Sequence, residues 1–396
     1  MNFYKNAKVI FPDKIRDCVV VTDGGKITDI CERFDANEND TVTDCKGLYL
    51  SPGFVDIHVH GGGNKSAMST DYTDIVEMAE AHLKYGTTSI APTPLAAPIS
   101  QLKEAVLSIK KASEESKKAN ILGVHLEGPY ISLQYKGAQS PESILNPEKD
   151  PPEELLDLWD KILIMGAAPE CDGVLALGDK LRKRGIVASV AHSAASYEQV
   201  ETAVQHGFSD VTHIYNACSS CFKTGLFRNA GVVEAGLYMD ELTTQTIADL
   251  RHLPQGLLKL IYKCKGDSKM YLITDGLEFS ASDIKENTVY TQENGVNVIY
   301  EDRVMKLADR SALAGSAATL SDCVRNMYKC IGITLYSAVK MATLTPAEVC
   351  GYGKVKGKIE NGYDADLIMF DDDINIKSVI TNGKIIKKNT FTEMNR

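Results

Sequence analysis

No run of about 18 consecutive apolar residues occurs in this chain, so it offers no membrane-spanning helix. Its opening segment, MNFYKNAKVIFPDK, lacks the apolar core of a signal peptide, and a soluble cytoplasmic protein is the expectation. An excess of positive charge is also missing: 43 Lys and Arg stand against 53 Asp and Glu, a formal net charge of −10 at pH 7. That balance argues against nucleic acid or an anionic membrane as partner, so any positive potential toward an anionic ligand has to be local. The ten cysteines lack the spacing of a secreted disulfide framework, which suits reduced thiols. Cys218 and Cys221 form a C-x-x-C, but no second pair accompanies them to make a metal or redox motif. Low-complexity tracts are absent too, and 44% hydrophobic with 24% charged residues is an ordinary globular composition.

What the chain does have is length and rhythm. Its 396 residues exceed what one core usually supports, although α/β barrels commonly reach about 250 residues as one domain. Residues 1–50 alternate short β runs with turn signals, at Lys8 to Phe11, Cys18 to Val21, Lys26 to Ile30 and Leu48 to Leu50. The pattern returns in residues 351–396, with Asp366 to Phe370, Lys377 to Ile380, an Asn382-Gly383 turn and Lys384 to Ile386. Two β-rich ends around a different middle predict one small β-sandwich domain assembled from both termini. Residues 51–350 would be an insertion into it.

The insertion repeats strand and helix. Apolar runs end near His60, Thr93, Glu127, Ala168, His192, Asn216, Ala248 and Asp275, and helical spacing is legible at Asp71 to Tyr85, Gln101 to Lys118, Val174 to Arg184, Ser196 to Gly207 and Gln255 to Lys263. Eight strands alternating with helices predict a (β/α)8 TIM-type barrel, with a helix at Ala317 to Cys330 closing the ring. Between Asp283 and Leu307 a polar stretch with an Asn294-Gly295 turn predicts an inserted hairpin.

Functional side chains of such a barrel sit at the carboxyl ends of its strands. The first predicted strand ends Asp56-Ile57-His58-Val59-His60, where alternation puts 56, 58 and 60 on one face. The third ends His125-Leu126-Glu127, the fifth and sixth deliver His192 and His213, and the eighth ends Thr274-Asp275. Four of the eight histidines thus fall at strand ends. One rim supplying four imidazoles and two carboxylates needs a compensating cation, because buried polar groups are otherwise costly. Imidazole and carboxylate ligands suit Zn²⁺ or Fe²⁺ better than Mg²⁺. His125 and Asp56 are expected behind the ligands, Asp56 orienting an imidazole. His82 and His206 fall on helices, as surface or packing residues.

These residues carry a resemblance over nearly the whole chain. PGFVDIHVHGG (Pro52 to Gly62), GVHLEGPY (Gly123 to Tyr130), VAHSAAS (Val190 to Ser196), THIYNA (Thr212 to Ala217), LITDG (Leu272 to Gly276) and LAGSA (Leu313 to Ala317) are similar to the N-acetylglucosamine-6-phosphate deacetylases of the amidohydrolase superfamily. The H-x-H is common to many amidohydrolases, whereas HLEGP together with Y-N-A after the sixth-strand histidine is far more specific. The resemblance implies that Glu127, His192 and His213 hold the principal metal and that His58 and His60 hold a second ion in members that keep two. Strand four ends Ala168-Pro169-Glu170 without the lysine that bridges many two-metal relatives, which leaves Glu127 as the implied bridge. Asp275 is the expected proton shuttle, taking a proton from water and giving it to the departing amine. For the substrate, the resemblance points to the backbone at Asn216 and Ala217, to Arg228 and to His252, with Ala314, Gly315 and Ser316 bordering the sugar. It also implies a homodimer.

Three departures touch the substrate side. Gln139 follows Lys136-Gly137-Ala138 where the family has a substrate-contacting His, Phe227-Arg228-Asn229-Ala230-Gly231 replaces R-E-P-G, and Leu250 replaces a glycine. The expected activity is therefore hydrolysis of an N-acetylhexosamine 6-phosphate, glucosamine first and galactosamine second. Another amidohydrolase reaction, or a non-catalytic sugar-phosphate binder, are the rivals.

Overall fold

The computed structural model describes residues 1–293 and 295–388. Both ends of the chain enter one sheet. Its strands run in the order Lys384–Lys388, Ile376–Thr381, Leu367–Phe370, Tyr49–Pro52, Asn2–Ile10, Ile15–Asp23 and Lys26–Cys31, with Thr41–Asp44 also pairing with Asn2–Ile10. The seam between the ends is the antiparallel pairing of Leu367–Phe370 with Tyr49–Pro52. The sequence suggested a sandwich; the strands instead form one sheet that curls back on itself. Ile27 N donates to Tyr363 O (2.8 Å) and Ala365 N to Gly25 O (2.9 Å), bringing the far edge onto the chain entering the seam. Alternation along Leu367–Phe370 serves two cores. Leu367 and Met369 pack with Tyr4, Val20 and Ile27 inside the curl, while Ile368 and Phe370 pack with Phe54 and Ile376 in the larger core.

The middle of the chain builds eight parallel strand positions. One arc pairs Phe54–Val59, Thr87–Pro92 and Asn120–Ile121; the other runs Val124–Glu127, Ile162–Ala167, Val187–Val190, Phe208–Val211, Thr243–Ile247 and Met270–Ile273. The arcs meet at both ends. At one, the chain leaves the first arc at Leu122 (N to Ile90 O, 2.9 Å) and joins the second at Val124 (N to Lys161 O, 2.9 Å). Gly123 makes this possible, since a Cβ there would sit 2.3 Å from the Lys161 carbonyl. At the other, Asp275 N donates to His58 O at 3.0 Å. Val55, Ile57, Ile164, Ile247, Tyr271 and Ile273 cluster together, while helices such as Tyr72–Leu83, Ile99–Glu115 and Val174–Arg184 pack against the opposite faces.

Several elements differ from the sequence reading. The strand expected over Asp210 to Asn216 is Phe208–Val211, because His213, Tyr215 and Ala217 take positive φ and turn the chain away from the sheet. The closing helix is Leu320–Arg325 running into a π-helical turn, Asn326–Ile331. The inserted hairpin is a three-stranded antiparallel unit, Thr288–Thr291, Asn297–Glu301 and Val304–Leu307. Asn294 of its expected Asn294-Gly295 turn lies outside the described residues. A small hairpin, Phe222–Thr224 with Phe227–Asn229, was not anticipated.

Candidate metal centre

Six side chains from five strand ends converge as expected. His58 closes Phe54–Val59 and His60 follows it; Glu127 ends Val124–Glu127; His192, His213 and Asp275 stand just beyond Val187–Val190, Phe208–Val211 and Met270–Ile273. All six are buried. His192, His213 and Asp275 have φ of 45°, 27° and 50°, a region that costs non-glycine residues roughly 1–3 kcal/mol. The strand has to turn sharply there to aim its side chain inward.

Glu127 is the hub. Its Oε1 lies 2.9 Å from His213 Nε2, 3.1 Å from His192 Nε2 and 3.4 Å from His58 Nε2. Oε2 lies 3.4 Å from His60 Nε2. Asp275 Oδ1 is 2.9 Å from His60 Nε2 and 3.4 Å from His58 Nε2. Two overlapping donor groups result, His58–His60–Glu127–Asp275 and Glu127–His192–His213, with ligand atoms within 4.8 Å of one another.

The protons on these imidazoles decide what the cluster can hold. His58 Nδ1 donates to Gln245 Oε1 (2.6 Å), His60 Nδ1 to Thr93 O (2.7 Å) and His192 Nδ1 to Tyr135 O (2.9 Å). In their neutral forms each then presents a bare Nε2 lone pair to the cluster. Two pairs of Nε2 atoms face each other at 3.3 Å, His58 with His60 and His192 with His213. Lone pairs and two carboxylates crowded out of water call for a cation between them. The electrostatics agree. Burial alone would lower the pKa of His58, but Glu127 and Asp275 outweigh it and carry it up to about 9. Burial likewise opposes ionisation of Asp275, yet His60 and the other imidazoles pull it down to about 2. The donor set fits one or two divalent ions of the kind that imidazole and carboxylate bind.

The supporting residues are partly those expected. His125 is buried behind the site, its Nδ1 donating to Ile57 O (2.9 Å) and its ring 4.6 Å from that of His58. His82 packs through Nε2 on Gly61 O (2.9 Å), and His206 pairs with Asp179 (2.8 Å). Asp56 corrects the reading: it touches no imidazole, accepting instead from His58 N (3.3 Å) and Thr274 Oγ1 (2.6 Å), so it ties the first strand to the last. Gln245 does the orienting. Nothing singled it out except a polar side chain in the buried run Thr243–Ile247. Glu170 was also missed; it accepts from Ser193 Oγ (2.7 Å) and Ala194 N (2.5 Å), bracing the turn after His192.

The residues expected around the substrate are less uniform. Gln139 is buried and fully engaged, its Nε2 donating to Glu127 Oε2 (2.7 Å) while its Oε1 accepts from Ala96 N (3.1 Å). Asn216 Nδ2 turns back to His213 O (3.2 Å), and its neighbour Ala217 is held in left-handed backbone. His252 donates through Nδ1 to Asp249 (2.7 Å). Burial opposes its charge, but Asp249, with help from Asp275, raises its pKa. Ala314, Gly315 and Ser316 run beside Asp275: Ser316 N donates to Asp275 O (2.8 Å) and Ser316 Oγ to Thr274 O. Gly315 has φ of 102°, and a Cβ there would meet Asp275 O at 3.0 Å. Arg228 stands apart, exposed on the unanticipated hairpin directly across from Lys223.

Residues 49–386 match the amidohydrolase family. The chain is 30% identical to the N-acetylglucosamine-6-phosphate deacetylase of Lysinibacillus sphaericus over 372 residues, covering 91% of each chain. It is 29% identical to the Homo sapiens enzyme of that name, covering 92% of this chain and 90% of the other. Among solved structures, N-acetylglucosamine-6-phosphate deacetylase from Pasteurella multocida superposes with a TM-score of 0.89 at 30% identity, covering 98% of this chain and 100% of that one. The Thermotoga maritima enzyme gives 0.84 at 29% identity, with the same coverage.

Proposed function

Because this chain belongs to the N-acetylglucosamine-6-phosphate deacetylases of the amidohydrolase family, we propose that it hydrolyses N-acetylglucosamine 6-phosphate to glucosamine 6-phosphate and acetate. The observation that carries this is Glu127, with four imidazole Nε2 atoms and Asp275 gathered around its carboxylate. The two strand arcs are read as one closed (β/α)8 barrel with this cluster at its carboxyl rim. Glu127, His192 and His213 would hold the principal ion and His58 and His60 a second, with Glu127 common to both groups. Zn²⁺ is the first choice and Fe²⁺ the second. When bound, the cation supplies Lewis acidity toward the acetyl oxygen and toward the attacking water.

The chain's own groups do the rest. Asp275, ionised at neutral pH and 2.9 Å from His60, accepts the proton of the attacking water. It returns that proton to the sugar nitrogen as the C–N bond breaks, since an amine leaves poorly as its anion. His252, which Asp249 keeps protonated more readily, meets the phosphate together with the backbone at Asn216 and Ala217 and with Arg228. Ala314, Gly315 and Ser316 border the sugar. The galactosamine epimer is kept as a second reading because Gln139 binds Glu127 instead of facing the ligand, so the sugar contact expected there is altered.

We place the reaction in the cytoplasm, in keeping with cysteines that are all free. We also infer a homodimer, since Leu226 and Phe227 on the hairpin are 93% and 78% exposed, an apolar tip of the kind that partners cover. Acetate release, measured on zinc-loaded protein with N-acetylated hexosamines with and without a 6-phosphate, tests the function. Turnover confined to the phosphorylated sugars is expected, and Asp275→Asn should retain ligand binding while losing at least about 10³-fold in kcat. Equal rates on the unphosphorylated sugars would remove the case for Arg228 and His252.

A further inference from the structure

Beneath the metal cluster lies a buried polar network that the deacetylation chemistry does not use. Asp210 is fully buried at the end of Phe208–Val211. Every neighbour it touches is a donor. Thr243 Oγ1 reaches Oδ1 at 2.6 Å, Ser189 Oγ reaches Oδ2 at 2.8 Å, and Tyr271 OH lies 3.1 Å from both oxygens. The fourth donor is Gln245 Nε2, 2.9 Å from Oδ2. Ser189 Oγ is in turn 2.7 Å from Thr212 Oγ1, so this hydroxyl is engaged on both sides.

An acceptor-only carboxylate removes the ambiguity of the Gln245 amide. The NH₂ end must face Asp210, which leaves the carbonyl end facing His58 Nδ1 at 2.6 Å. A carbonyl takes only a donor, so the His58 proton is drawn to Nδ1 and the Nε2 lone pair points at His60, Glu127 and Asp275. His60 and His192 have the same arrangement, but their partners are the backbone carbonyls of Thr93 and Tyr135. His213 Nδ1 has no hydrogen-bond partner among the described residues. Within the cluster, His58 is therefore the imidazole whose proton position is set by side chains.

We propose that Asp210 and Gln245 are positioning residues that fix the His58 proton on Nδ1 and thereby make the His58–His60 side of the cluster competent to take a second cation. The proposal rests on the metal reading above. It explains a feature that packing does not, namely an ionisable carboxylate held under the site by four donors. It also divides the cluster: the Glu127–His192–His213 side does not depend on Gln245.

The test is zinc binding by equilibrium dialysis on wild type, Gln245→Met and Gln245→Glu, together with imidazole NMR of histidine-labelled protein in zinc-free and zinc-saturated form. Methionine preserves length and burial but offers no acceptor to Nδ1. Glutamate keeps an acceptor there and can share a proton with Asp210. Wild type should bind two zinc ions per chain, with the His58 proton seen on Nδ1. Gln245→Met should lose between about 10-fold and 100-fold in affinity for one ion only, the other staying within about threefold, and Gln245→Glu should recover most of that loss. A wild type binding fewer than two ions overturns both this proposal and the two-ion reading. Two ions bound equally well by wild type and Gln245→Met overturn this proposal alone. Should Gln245→Met not fold, the zinc-free wild-type spectrum still decides, because a neutral His58 with its proton on Nε2 contradicts the relay.

Discussion

At the scale of single residues, the site is a set of identities visible in the sequence with partners that are not. His58, His60, Glu127, His192, His213 and Asp275 could be named from strand ends alone, because alternation and the apolar pattern predict which side chains share a rim. Their hydrogen bonds could not, since Gln245 is 187 positions from His58. Asp56 shows the limit from the other side: two residues from His58, it binds the His58 backbone and Thr274 instead of a ring. Gln139 is the sharpest case. Read as a substitute for a substrate-contacting histidine, it instead spends both ends of its amide on Glu127 and Ala96. Hydrogen bonds to charged groups are worth about 1.5–3 kcal/mol. Gln139→Ala should therefore lower kcat about tenfold or more, by loosening Glu127, while leaving KM within about twofold. Steady-state kinetics on N-acetylglucosamine 6-phosphate checks this, and a large rise in KM with kcat intact would restore Gln139 to the substrate.

At the scale of elements, helices with strong local signals came out close to expectation. Val174–Arg184 has the bounds that its spacing predicts, between left-handed Gly173 and Gly185, and Ser196 caps Tyr197–Gln205 through a reciprocal pair with Gln199. Elements whose ends depend on distant partners moved, as did Phe208–Val211. The joint between the small sheet and the parallel strands belongs to this second kind. Lys356 is buried between Asp366 (2.6 Å) and Asp364 (2.9 Å), and Asp366 also accepts from Asn120 Nδ2 (3.0 Å) on the strand Asn120–Ile121. Burial would lower the Lys356 pKa, but the two aspartates outweigh it and raise it. Lys356→Ala leaves the buried Asp366 without its cation, although Asp364 keeps Lys26 (2.6 Å), and a loss of about 3–5 kcal/mol is expected in denaturant unfolding at neutral pH. A lysine whose pKa is raised by folding contributes fully below its unfolded value of about 10.4 and progressively less as pH climbs through the folded one. The gap between variant and wild type should accordingly shrink above about pH 10.4, and a gap that stays constant there would count against the ion pairs as its source.

At the scale of the whole molecule, four imidazoles and two carboxylates are held together by a scaffold whose own cores lie elsewhere, so the bound ion should add to stability. An ion that binds only the folded chain contributes about 4 kcal/mol at 1,000 times its dissociation constant. Chelation should thus lower the melting temperature by about 5 °C, with recovery on adding zinc; calorimetry with and without chelator measures it, and an unchanged melting temperature would mean no resident ion. Sedimentation of the same samples should show a dimer. The sequence by itself determined the strand-and-helix rhythm, the two-ended small sheet and the identity of the rim residues, because periodicity and residue chemistry are local properties. Only the tertiary structure decided that Gln139 serves Glu127 and that Asp210 reaches His58 through Gln245. These depend on which strand ends become neighbours when the sheet curls, and on the backbone turns at His192, His213 and Asp275 that no local preference favours.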